Sequence, residues 1–402
     1  MRVKTLSSLR KLVALPPEYD ITPRQWSVLE PQLLAAETRI LSQLKRGARE
    51  FLPFIHDPQG ARNLNTLLGK VELEMSTTFI FFDTYLDVLT QRHTPELGPS
   101  LAGCDVLAWD AINKEHPALA IIESPLVYCD RGFGASILRE RVLLPDLTPN
   151  PMPLIQIPYT RLKEKYNLTS VLHEVGHEVM IRLGLASALP KVFRRTLERA
   201  GTPDTIKELF ALWAKEIGPD FWTFCASGIA QSASIKEILA LPPMHVFRVS
   251  WTAPHPPAYL RVLLSFEWCR QVWGRGDWDT WEKEWLELYP LEGIPAGTQK
   301  LLKKAKTYLP VISRVLLKTK FRTLNGRAIP DLFNSSILSP EKLLRIARTA
   351  ESGVLNLRGL SPCAQLAVFR MIRDKGRLKE ETLDRIMTKW LVKLGEKRKY
   401  LH

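Results

Sequence analysis

Between residues 21 and 95 apolar positions recur at intervals of three and four. Leu33, Leu34, Ile40, Leu41 and Leu44 form one set, and Leu67, Leu68, Val71, Leu73 and Met75 another. That spacing predicts amphipathic helices, so residues 1–95 read as an N-terminal helical region. From 96 to 158 the pattern shortens into apolar runs broken by Gly and Pro, and 118–122, 126–128 and 154–157 are expected as strands or extended segments. Helical periodicity returns over 171–183, with Thr169 and Ser170 as expected caps and Gly184 as the stop. A further helix should begin near Thr205, carrying Ile206, Leu209, Leu212 and Trp213 on one face.

Farther along, Trp268, Trp273, Trp278, Trp281 and Trp285 fall in one helical stretch and read as core packing. Pro290, Gly293, Pro295 and Gly297 then suggest a linker. Beyond it, Ser339-Pro340 and Ser361-Pro362 each join a capping residue to a proline at the first helical position. The expected fold is therefore mostly α with a small β component (α+β), in three parts: 1–95 helical, 96–290 the core, and 300–402 helical again.

Charge changes this picture in one respect. The 402 residues carry a net +14, but from residue 300 onward there are 24 Lys and Arg against 8 Asp and Glu, so the excess lies entirely in the C-terminal part. A basic helical region fits an acidic partner protein. Direct nucleic-acid binding is the weaker expectation, because no reading motif accompanies the charge. With 45% hydrophobic residues the chain can fill a sizeable core, yet no run approaches the roughly 18 apolar residues a membrane span needs. Prolines 16 and 17 and Glu18 interrupt the apolar run that a signal peptide would require, which makes the expected location cytoplasmic. Five scattered cysteines without a C-x-x-C pair point to small buried hydrophobes rather than disulfides or a thiolate metal site.

The chemistry concentrates in Leu172-His173-Glu174-Val175-Gly176-His177-Glu178. On a helix, residues four apart share a face, so His173 and His177 can offer two nitrogens to one zinc ion, with Glu174 beside them as general base. A hydrolytic zinc site needs a third protein ligand and an open position for water. Glu216 is the choice, because Asp220 four residues later can orient one of the histidines; Glu208 and Glu237 are the alternatives. Pro219 lies between Glu216 and Asp220. Either the helix kinks there, or Asp220 starts a new helix and Glu216 closes the old one. Downstream, His255-Pro256-Pro257-Ala258-Tyr259-Leu260-Arg261 adds a histidine, a tyrosine and an arginine, any of which can supply a donor to an oxyanion. His245 reads as a loop residue, and His56, His93 and His116 have no partner pattern.

The order H-E-x-x-H, E-x-x-x-D, H-P-x-x-x-x-R over residues 171–261 resembles the gluzincin metallopeptidases of the CAAX prenyl protease and HtpX group. The resemblance implies a zincin-like core flanked by helical regions and one Zn2+ per chain on His173, His177 and Glu216. It also implies catalysis through Glu174, Asp220 in support, and His255 and Arg261 near the catalytic cleft. Those relatives are membrane enzymes, whereas this chain has no stretch that could span a membrane, so the expectation here is a soluble peptidase acting on a peptide or protein substrate. The competing expectation is a catalytically degenerate member that acts as a binding or structural module through its basic C-terminal region. Retention of Glu174, which a degenerate member is free to lose, favours the enzyme.

Overall fold

Thr22 opens the first long helix by accepting from the Gln25 backbone N–H while the Gln25 side chain returns the bond to Thr22 N–H, with Pro23 in the first turn. This helix, α1 (Pro23–Phe51), pairs with α2 (Pro58–Thr90), which Asp57 caps. The computed structural model describes residues 2–17, 19–132, 134–144, 148–352 and 355–401. In the α1–α2 hairpin Leu33, Ile40, Val71 and Met75 are buried as the periodicity predicts, whereas Leu34, Leu68 and Leu73 face solvent.

Next comes α3 (Leu97–Ile112), a helix buried along nearly its whole length where only broken apolar runs were expected. Of the expected extended segments, 126–128 and 154–157 are strands, but Pro117–Ala120 is a helical turn with Pro117 in its first position. The sheet has three strands, β1 (Leu126–Asp130), β2 (Ser136–Leu138) and β3 (Leu154–Pro158), in the order β1-β3-β2. β1 and β3 are parallel, with Leu126 opposite Leu154, Val127 opposite Ile155 and Cys129 opposite Ile157; β2 runs antiparallel to β3.

Because side chains alternate along a strand, this register sorts the sheet into two faces. Leu126 and Leu154 join the apolar cluster of the α1–α2 hairpin, while Val127, Cys129, Ile155 and Ile157 join a larger cluster reaching from Leu101 to Leu401. The sheet is thus the layer between the N-terminal hairpin and the rest.

From β3 the chain passes through two short 3-10 turns (Tyr159–Leu162 and Lys165–Asn167) into α4 (Thr169–Arg182). Thr169 and Ser170 lie within its first turn and do not cap it, and the Ser170 hydroxyl donates to the Asn167 carbonyl instead. Gly184 ends the helix as expected, taking φ of 67°. Then follow α5 (Leu185–Arg199), α6 (Asp204–Ser227), α7 (Ile229–Ile238), α8 (Ala258–Trp273) and α9 (Asp277–Leu288). Trp268 packs against Phe221 and Phe224, and Trp278 and Trp285 are buried, so the tryptophan stretch is core.

The C-terminal region comprises α10 (Ala296–Lys306), α11 (Leu309–Lys318), α12 (Pro340–Arg348), α13 (Pro362–Asp374) and α14 (Glu380–Gly395). Ser339 and Ser361 cap α12 and α13 as the sequence predicts. Their apolar faces belong to the same cluster as α3 to α9, and α14 packs along α3. All five cysteines are free and buried. Among the described residues no helix is long and apolar enough to cross a membrane.

Candidate metal centre

Two helices build the centre by crossing at close range. Gly176 lies between the histidines of α4, and a Cβ there would stand 2.7 Å from the Pro219 Cα on α6. Only glycine lets the helices approach so closely. The approach sets the α6 side chains one turn before and one residue after Pro219, Glu216 and Asp220, beneath His173 and His177. α6 runs unbroken from Asp204 to Ser227, so Pro219 neither ends a helix at Glu216 nor starts one at Asp220.

The result is a triangle of ligand atoms. His173 Nε2 lies 3.2 Å from His177 Nε2, Glu216 Oε2 lies 3.4 Å from His173 Nε2, and Glu216 Oε1 lies 3.7 Å from His177 Nε2. Ligands held tetrahedrally at about 2.0–2.2 Å from a zinc ion stand roughly 3.4 Å apart, so these spacings fit a common ion. Among the described residues these three form a group of His, Cys, Asp or Glu with one ligand atom each inside 4.8 Å. The alternatives fall elsewhere. Glu208 pairs with Arg194, and Glu237 with Arg370 and Arg373.

Asp220 Oδ1 lies 2.9 Å from His173 Nδ1. An imidazole that donates Nδ1–H to a carboxylate presents Nε2 as the bare nitrogen a metal needs. Arg261 on α8 donates to Asp220 through Nε at 2.5 Å and Nη2 at 2.8 Å, and Gln231 Nε2 approaches the same carboxylate at 3.4 Å. Arg261 is therefore committed chiefly to the carboxylate that orients His173. His255 is 65% exposed, with Nε2 3.6 Å from Glu216 Oε1, at the rim of the site. Tyr259 is buried beside Phe247, away from the cleft walls, and burial pushes its hydroxyl up to about 12.

The electrostatics follow from these contacts. Burial alone would lower the His173 imidazole, but the Asp220 charge and hydrogen bond outweigh it and hold the group at about 9. His177 has no such partner; burial, then the neighbouring His173 charge, depress it to about 4. Burial would raise the Glu216 carboxyl, yet His173 beside it and the charges of Arg261 and His177 keep it at about 2. Glu174 is buried and, with burial the largest influence, its carboxyl is raised above the usual range.

The centre opens on a cleft of about 720 Å³ whose walls include Ile137 of β2, Thr169 and Met180 of α4, Lys215 of α6, and Ile235 of α7. β2 is an edge strand, and its Ser136 and Ile137 border this space. The sequence reading missed both this strand and Arg161, a buried arginine in the cleft wall; a three-residue strand and a lone arginine carry no pattern of their own. Comparison with protein-family models, with curated proteins and with solved structures returns no match for this chain.

Proposed function

We propose that this chain is a zinc-dependent peptidase of the gluzincin type, in which His173 Nε2, His177 Nε2 and a Glu216 oxygen hold the ion. The observation that carries the reading is the triangle of those three atoms at ligand spacing, with Asp220 against the Nδ1 of His173 and the whole facing a cleft. A zinc ion bound there supplies Lewis acidity, lowering the pKa of a water and polarising a carbonyl.

The chain's own residues do the rest. Glu174 follows His173 on α4, and its raised pKa suits a base that accepts the proton of the attacking water on a carboxylate oxygen and returns it to the leaving amine nitrogen. Arg261 and Asp220 act together to keep His173 from turning. His255, exposed at the rim, is the group free to swing a donor toward the oxygen that becomes anionic. On the same cleft, the outer edge of β2 offers backbone N–H and C=O groups with which an extended peptide can pair as an added strand, aligning a backbone carbonyl with the base.

Metal content and cleavage test this together. Purified protein should hold about one zinc per chain by plasma mass spectrometry, and His177→Ala and Glu216→Ala should each lose it. Glu174→Gln should keep the zinc and lose cleavage of a peptide library by about 10²- to 10⁴-fold. Wild-type protein that takes up no zinc on reconstitution would sink the proposal.

A further inference from the structure

Four arginines are buried among the described residues: Arg92, Arg161, Arg370 and Arg398. Three of them meet a carboxylate at close range. Arg92 Nη1 lies 2.9 Å from Asp105, Arg398 Nε 2.6 Å from the same residue, and Arg370 reaches Glu237 at 2.8 Å and Asp374 at 2.9 Å. Arg161 does not. It is 5% exposed, yet its Nη1 stands 3.4 Å from a Glu164 oxygen that is itself half in solvent, and its Nε has no partner. A guanidinium offers five donors, and a charge withdrawn from water with most of them unused is costly unless something else completes it.

Its position says what that something is. Arg161 sits in the turn that follows β3 and lines the same cleft as the metal centre. The acidic residues of that cleft are Glu174, Glu216 and Asp220, all used at the centre. Away from it the ionisable lining is Arg139, Arg161 and Lys215, all positive. An anion entering the cleft meets a guanidinium that is 5% exposed, and a carboxylate matches such a fork through two parallel hydrogen bonds.

We propose that Arg161 is the specificity residue of the cleft and binds a carboxylate of the peptide substrate, supplied by an acidic side chain or by a free C-terminus. The inference rests on the peptidase reading for its substrate, but the anion site stands on the burial of Arg161 and on its one long contact with a half-exposed Glu164. The substrate class that follows is acidic peptides, or peptides cleaved at a fixed distance from their C-terminus.

Matched peptides test it. Wild-type zinc-loaded protein is offered a peptide library, and each cleaved sequence is resynthesised with its acidic side chains changed to amides or with its C-terminus amidated, so that the two arms separate the two sources. Losing the recognised carboxylate should lower kcat/KM by about 10- to 100-fold, mainly through KM. Arg161→Met should treat acid and amide alike while its zinc content stays at the wild-type level, and Arg161→Lys should keep part of the preference. Equal cleavage of acid and amide by the wild type, or an unchanged preference in Arg161→Met, overturns the proposal and leaves the peptidase reading standing. The same site is read without turnover by calorimetric titration of glutarate and of glutaramide. Glutarate binding that Arg161→Met abolishes, in a protein that cleaves nothing, supports the anion site and counts against the peptidase reading alone. Glutarate binding that does not depend on Arg161 overturns the anion site.

Discussion

Asp105 and Glu216 are both carboxylates buried on a helix near arginines, and they are treated differently. Asp105 on α3 is fully enclosed: Arg92 Nη1 at 2.9 Å and Arg398 Nε at 2.6 Å form ion pairs with its Oδ2, and the Val127 backbone N–H donates to Oδ1 at 2.7 Å. Around Glu216 the nearest nitrogens, from His173, His177, His255 and Arg261, stand 3.4 to 3.9 Å away. Those separations exceed hydrogen-bond lengths and match the spacing of ligands around an ion. Enclosure with every contact short marks a carboxylate that holds helices together. Open spacing beside a cleft marks one with ligand capacity left over.

Exchanging the two losses is the strongest way to break this contrast. Asp105→Ala leaves two guanidiniums buried without their anion and should cost about 3–5 kcal/mol in denaturant unfolding, with zinc uptake per folded chain unchanged. Glu216→Ala should do the reverse, abolishing zinc binding with the smaller loss of stability. If both variants lose stability equally and neither changes zinc binding, the contrast has no functional content.

A smaller effect sharpens it from the side of His173. Asp220→Asn keeps the shape but weakens the hold on the imidazole, and zinc affinity measured against a chelator should fall by about 10- to 100-fold. Next comes the helix crossing. Gly176→Ala pushes a methyl group into Pro219 and should cost about 1–3 kcal/mol while moving Glu216 off its spacing, so Tm and zinc affinity should drop together.

The smallest effect is a proton count. His173 at about 9 is protonated in the metal-free protein near neutrality, and zinc needs its bare Nε2, so uptake near pH 7 should release about one proton from it. That proton should disappear from the balance near pH 10, as calorimetry in buffers of different ionisation enthalpy would read. The sign carries over to metal-free stability. A histidine raised from 6.5 stabilises fully below that value, and its contribution is lost as pH rises through about 9.

The centre was more legible in the sequence than the fold around it. His173, His177, Glu216 and Asp220 are pairs four residues apart, and helical geometry alone puts each pair on one face. That α6 continues through Pro219 was not legible, because the packing that overrides the proline's local preference comes from Gly176 on another helix. α3 escaped for a different reason. A helix buried on all sides has no polar stripe, and Gly98, Pro99 and Gly103 read as breakers when taken alone. Thr169 and Ser170 looked like caps, but the preceding 3-10 turn already sets the start of α4. Arg161 is invisible to any motif, since its distinction is burial beside a single long contact with Glu164.

Arg398 does more than neutralise Asp105: it also donates to the backbone carbonyls of Tyr19 and Asp20 and to Gln25, 373 positions away along the chain. Such pairings form slowly, since a long loop must close before they repay the ordering, and they cannot form at all on a partly synthesised chain. During translation α3 emerges about 280 residues before α14 covers it. The face of α3 that α14 covers therefore stays open through most of synthesis, and the cluster around Asp105 is completed only once residue 398 has been added.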